Sequence, residues 1–257
     1  MQKKFTSILF FIGLFLFSVH IHAQYRTLDS YSINFSYGFL KSDFGARYDW
    51  NTNTHNNAFE LGGKLYFNPF PYSDKWGSHF KLFAALDIVK GRLEHIGRWS
   101  EKDTPYAHKL KSMHGRPLLV GFSMGLEYSL QDLRYYNFSE SYGIYKFNPY
   151  IGVTLGGYYY RPYVYSDLGD INDPGIQGSI IVPRFVNHIY NDGGFVFASS
   201  FNVGVSYQLN YYMQIYWENR FTWLSSDKVD GLDVNDSADK FNDWLVLPVF
   251  GLYVVLQ

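Results

Sequence analysis

Written out as two alternating faces, segment after segment of the chain separates into a column of large apolar side chains and a column of small or polar ones. This is the period of a pleated strand. From Ser200 to Leu209, Phe201, Val203, Val205, Tyr207 and Leu209 oppose Ser200, Asn202, Gly204, Ser206 and Gln208. From Leu118 to Leu130, Leu118, Val120, Phe122, Met124, Leu126, Tyr128 and Leu130 oppose Gly121, Ser123, Gly125, Glu127 and Ser129. Met213, Ile215, Trp217, Phe221 and Trp223 face away from Gln214, Tyr216, Glu218, Arg220 and Thr222. The same division recurs around Ile33 to Phe39, Phe59 to Phe67, Phe80 to Ile88 and Tyr150 to Tyr160, whereas Trp244 to Gln257 is apolar on both faces and contains Pro248.

Eight strands follow, near residues 31–39, 58–67, 79–90, 117–130, 147–162, 195–209, 211–223 and 243–256. Long polar connectors follow the odd-numbered strands and the turn at Asn210 is very short, as expected for outer loops and periplasmic turns of an antiparallel transmembrane barrel, while the connectors from Asn68 to Ser78 and Gln131 to Lys146 are longer than that pattern prefers. The stretch from Gly178 to Val186 is a further strand candidate inside the third long connector, so ten strands is the alternative.

A water-soluble sandwich also alternates, but it buries the apolar face and wets the polar one. The polar column here mixes Gly, Ser and Thr with isolated charges of both signs: Glu60, Lys64, Lys81, Asp87, Glu127, Glu218 and Arg220. That mixture suits a narrow barrel interior, where small side chains leave room and opposite charges neutralise one another. The apolar column ends in aromatic residues, as in Tyr158-Tyr159-Tyr160-Arg161-Pro162-Tyr163 and Phe221-Thr222-Trp223, which read as interfacial girdles. The expected fold is an all-β, closed antiparallel transmembrane β-barrel. A secreted sandwich or lipocalin-like barrel is the competing reading.

Composition narrows this further. Aromatic residues make up 21% of the chain, with 24 Tyr, 23 Phe and 23 Gly, a balance that favours pleated strands over helices. Lys3 and Lys4, the apolar run Ile8 to Val19 and Ala23 before Gln24 read as an export signal over residues 1–23, leaving 24–257 as one barrel domain. No run in that remainder approaches ~18 consecutive apolar residues, so a spanning structure must be a closed barrel. There are no cysteines, hence neither disulfides nor a lipid-attachment thiol. A formal charge of −1 with no basic run argues against nucleic acid. The partners expected are outer-membrane lipid, lipopolysaccharide and other envelope proteins.

Two loops carry candidate chemistry. The second holds Ser100, Glu101, Asp103, His108, Ser112 and His114, but no Gly-x-Ser-x-Gly elbow occurs in the chain, and the ordinary reading is a solvated loop. The fourth places Asp227, Asp230, Asp233, Asp236 and Asp239 at every third residue. Of these, Asp230, Asp233 and Asp236 are the candidate calcium ligands, although the order does not match an EF-hand and an acidic solvated loop is the plainer explanation. Calcium aside, no cofactor is expected.

The strings Ser42-Asp43-Phe44-Gly45-Ala46-Arg47, Leu93-Glu94-His95-Ile96-Gly97-Arg98-Trp99, Leu168-Gly169-Asp170-Ile171-Asn172-Asp173-Pro174, Val229-Asp230-Gly231-Leu232 and Asn242-Asp243-Trp244-Leu245 together resemble an uncharacterised family of outer-membrane β-barrel proteins of Bacteroidetes. The resemblance implies an outer-membrane barrel and supplies no activity or functional residues. Barrels of similar size in those bacteria also anchor the type IX secretion and gliding apparatus, an analogy of fold alone. An eight-stranded barrel has room only for its own side chains. The expected function is therefore a non-enzymatic structural, anchoring or accessory subunit of an envelope complex, with a secretion-related role among the possibilities. The alternative is a narrow transporter or lipid-handling barrel for small or hydrophobic solutes.

Overall fold

Residues 29–45, 49–68, 76–133, 146–210, 212–234 and 242–256 are described by the computed structural model. The expected signal segment, 1–23, lies outside the described residues. The period-two segments form β1 (Ser30–Lys41), β2 (Asn57–Phe67), β3 (Phe80–Glu94), β4 (Met113–Gly115), β5 (Leu118–Ser129), β6 (Phe147–Arg161), β7 (Val164–Ser166), β8 (Gly194–Gln208), β9 (Met213–Leu224) and β10 (Trp244–Val255).

Eight of these make the wall. Each pairs antiparallel with its neighbours in the order β1-β2-β3-β5-β6-β8-β9-β10, and β10 returns to β1, with Ser30 opposite Val255 and Lys41 opposite Trp244. Closure leaves no sheet edge, so each wall strand finds ladder partners on both sides. The one interruption between β1 and β10 falls at Tyr37 and Gly38, across from Leu247 and Pro248. Proline has no N–H to donate there, so the ladder lapses while the register on either side stays the same. The two short strands stand above the wall: β4 pairs with the end of β3 through Leu93–Gly115, and β7 pairs with β4 through His114–Tyr165.

The wall is inside out relative to a soluble domain. Ile33 is 62% exposed and Leu155 72%, while Glu60 and Glu218 are 0% exposed. Phe35, Leu86, Phe122, Val203 and Phe250 join this outward apolar surface. Water would penalise so wide an apolar surface, and only a lipid solvent rewards it. The protein is an integral outer-membrane β-barrel.

The girdle strings divide between the two faces. Tyr159, Tyr163 and Trp223 point outward, but Tyr158 and Tyr160 are buried in the interior, because consecutive residues of a strand alternate sides. The candidate strand at 178–186 is not a strand. Asp173 accepts the Gly175 N–H at 2.9 Å and, with Pro174 in the first turn, starts a helix that runs to Ile180, followed by a 3-10 turn at Pro183–Phe185.

At the long-loop end the interior changes character. Leu93, Leu119, Leu224, Leu245 and Leu247 point inward and are fully buried, and they meet Phe44, Met113, Ile181 and Leu232 from the loops in one apolar cluster. Complete burial of each such side chain is worth roughly 1.5–3 kcal/mol. Besides β4 and β7, this cap contains helices α1 (Trp50–His55), α2 (Pro105–Lys111) and α3 (Pro174–Ile180). The apolar inner face of β10 is the inner wall of this cluster.

Candidate functional site

The inward positions of β2, β3, β5 and β9 bring all seven predicted lumen charges into the interior. Lys64 Nζ lies 2.9 Å from Glu218 Oε2 and 3.1 Å from Glu127 Oε1. Arg220 reaches Glu60 Oε1 at 3.0 Å, Glu218 Oε1 at 2.8 Å and Asp87 Oδ1 at 3.7 Å. Lys81 stands opposite Glu127 in the β3–β5 register, with its ammonium 4.4 Å from the centre of the Tyr253 ring.

The Lys64–Glu218 and Arg220–Glu60 bonds cross the barrel rather than follow its wall, since β2 and β9 are separated by β1 and β10. Glu218 is the hub. Its carboxylate also accepts from the Tyr150 hydroxyl at 3.0 Å and the Asn202 amide at 3.3 Å. Desolvated charges are tolerated only when their remaining hydrogen-bonding capacity is met in this way. Large rings fill the space beside them by lying across glycines. A Cβ at Gly251 would sit 2.4 Å from the Tyr216 ring, and one at Gly204 would sit 2.5 Å from that of Tyr150.

Below the network, Tyr66, Lys81, Glu127, Tyr150, Gln214 and Tyr253 are among the residues lining a partly open space of about 20 Å³. That is space for about one water molecule. Above it lies the apolar cluster of the cap. Among the described residues, the lumen is therefore closed by charge pairs, rings and aliphatic side chains in succession.

The candidate calcium ligands are not assembled as a cage among the described residues. The buried Asp230 carboxylate accepts the Leu232 N–H at 2.8 Å and the Asp43 N–H at 2.9 Å. Asp233 pairs with Lys228 at 2.7 Å, and this hydrogen bond raises the Lys228 pKa. Asp236 and Asp239 lie outside the described residues. In these contacts Asp230 acts as a staple between the first and fourth loops.

The Ser and His residues of the second loop are likewise engaged locally. Ser100 donates to the Gly97 carbonyl at 3.0 Å and Ser112 to the His108 carbonyl at 2.8 Å. His114 pairs with Asp167 at 3.0 Å, and His108 lies 3.5 Å from Asp103. Neither serine is given a histidine as a base in this arrangement, which nucleophilic catalysis would require.

A different histidine stands out, one that the sequence offered only inside a family-like string. His95 is buried between Phe44, whose ring centre is 4.6 Å away, and Phe185 at 5.5 Å. Its Nδ1 accepts the Gly45 N–H at 2.9 Å. Burial, with Arg184 and His114 nearby, lowers its pKa to about 3. The strings containing Asp43, His95 and Asp230 thus meet in the cap, far apart in sequence but joined by single hydrogen bonds and ring contacts.

No protein-family model matches the chain, and no curated protein does. Solved structures similar to it include Neisserial surface protein A, at 11% identity over 89% of this chain and 97% of that one, with a TM-score of 0.45. The attachment invasion locus protein Ail of Yersinia pestis is similar at 8% identity over 90% and 100%, with a TM-score of 0.41. A major outer membrane protein of Thermus thermophilus is similar at 10% identity over 89% and 99%, with a TM-score of 0.42. The membrane assignment rests on the barrel's own closed wall and outward apolar surface, not on these distant likenesses.

Proposed function

We propose that this protein is a non-enzymatic, non-conducting outer-membrane barrel that acts as an anchor or accessory subunit, presenting its folded cap to other envelope components. The closed lumen carries this reading. Ions or solutes would have to displace the Lys64–Glu218–Arg220–Glu60 pairs and then the apolar cluster beneath the cap, two barriers of opposite chemistry in series. The cap, in contrast, is built like a small domain, with capped helices, short strands and buried side chains, and that rigidity lowers the entropic cost of binding a partner. A secretion-related role remains within this proposal as a finer version of the anchoring reading.

The test is mild-detergent extraction from the native outer membrane. The wild-type chain is expected to bring down a stable envelope partner, and a chain whose 167–190 loop is replaced by a short flexible linker is expected to lose that partner while its barrel still shows heat-modifiable migration. Equal recovery of the same chains with both would contradict a binding role for the cap.

A further inference from the structure

Between the first, second and third outer loops lies a pocket of about 390 Å³, within the size range of small-molecule sites. Ile96, Leu110, Val182 and Phe185 make its apolar walls, and Trp99 and Tyr106 line it as well. Both of those rings are more than half exposed. Lys102 and Arg184 bring cationic side chains to its lining and Asp43 a carboxylate, so an acidic group entering it meets the Lys102 ammonium. The Lys102 ammonium sits 4.3 Å from the centre of the Trp99 ring.

The buried wall supplies a second and independent sign of a ligand. Because His95 Nδ1 accepts from the Gly45 N–H, the neutral ring carries its proton on Nε2. Phe44 stacks on the ring, Phe185 packs against it, and the ring forms part of the pocket lining. The Nε2 nitrogen is buried and has no hydrogen-bond partner among the described residues. A buried donor without an acceptor is costly in a packed cap, unless an acceptor is supplied from the pocket.

We infer that this pocket is a binding site for a small organic acid with a flat apolar body: the ring lies between the aliphatic wall and Trp99, the acid faces Lys102 and Arg184, and an oxygen accepts from His95 Nε2. The inference does not depend on whether the lumen conducts or the cap holds a protein partner, so its failure and theirs are separate results.

The probe is para-fluorobenzoate, followed by fluorine NMR with the full-length barrel in detergent micelles. His95→Phe keeps a stacking ring and removes the donor, and Lys102→Gln removes the charge. Saturable binding to the wild type is expected, weakened about tenfold or more in each variant, since a hydrogen bond to a charged group is worth roughly 1.5–3 kcal/mol. Heat-modifiable migration checks that each variant is folded, and should the His95→Phe substitution disturb the cap, Lys102→Gln alone decides. The neutral para-fluorobenzamide should bind weakly, and glucuronate, an acid without an apolar body, should not compete. Equal signals from wild type and both variants would mean partition into the micelle and would overturn the site; effective competition by glucuronate would overturn the apolar class of ligand.

Discussion

Arg220 is the cation that ties the rest of the lumen network to the Glu218 hub, touching Glu60, Asp87 and Glu218 at once. Replacing it by Met leaves Glu60 and Asp87 buried without their cation, while Glu218 keeps Lys64, a loss of about 3–5 kcal/mol. Arg220→Met should therefore unfold at clearly lower temperature in a heat-modification series, whereas Lys102→Met in the outer loop should match the parent. Identical transitions for all three would show that the lumenal charges are solvated. On the opposite face, Val203 points into lipid from the middle part of β8, and Val203→Arg should cost about 2–4 kcal/mol when folding into vesicles is titrated with denaturant. His95 gives a pH dependence with a definite sign. Its pKa falls from an ordinary 6.5 to about 3 in the folded cap, so below 6.5 the unfolded loop takes up a proton that the folded one refuses. The associated stability is complete above pH 6.5 and is lost as pH falls toward 3; by pH 5 the loss is about 2 kcal/mol. Protease protection of the outer loops should drop over this window in the wild type and lose that component in His95→Gln.

At the scale of elements, the wall strands were legible because lipid on one side and a polar lumen on the other enforce a strict period of two. The expected span 147–162 and the observed Phe147–Arg161 differ by a single residue at the end. The charges in the polar column were legible for the same reason, since an isolated Glu or Lys on an otherwise small-residue face has only the lumen to occupy. The cap was not legible. Its helices are six or seven residues long, too short for an amphipathic period to show. The apolar run of Gly178–Val186 reads as a strand by composition, but the helix cap at Asp173 and the break at Pro183 outweigh the β-propensity of Ile180 to Val182. One signal was available, the apolar inner face of β10, which implies an apolar filling at that end of the barrel. The cap's cohesion can be tested at Gly231, which sits at φ 92°, where an added Cβ would also come within 2.5 Å of Val164. Gly231→Ala should make the outer loops cleavable at protease levels that the parent withstands, with the wall still heat-modifiable, because left-handed backbone costs a non-glycine residue roughly 1–2 kcal/mol before the clash is counted.

The whole molecule divides along its axis into an outer cap with an apolar core, a charge-paired middle and a periplasmic end in which about 20 Å³ is left between the rings. Each layer closes the barrel by different physics, so no single substitution at one level opens a path through all three. That closure separates an anchoring or binding barrel from a transporter of the same size, and recording across a planar bilayer reads it directly. Purified wild-type protein, inserted in known orientation and with insertion confirmed by heat-modifiable migration, should add no current steps above the bare membrane at physiological salt. Sustained, discrete conductance steps from the wild type would contradict the account, because they would require an open water path where the Glu60–Arg220 and Lys64–Glu218 pairs now stand.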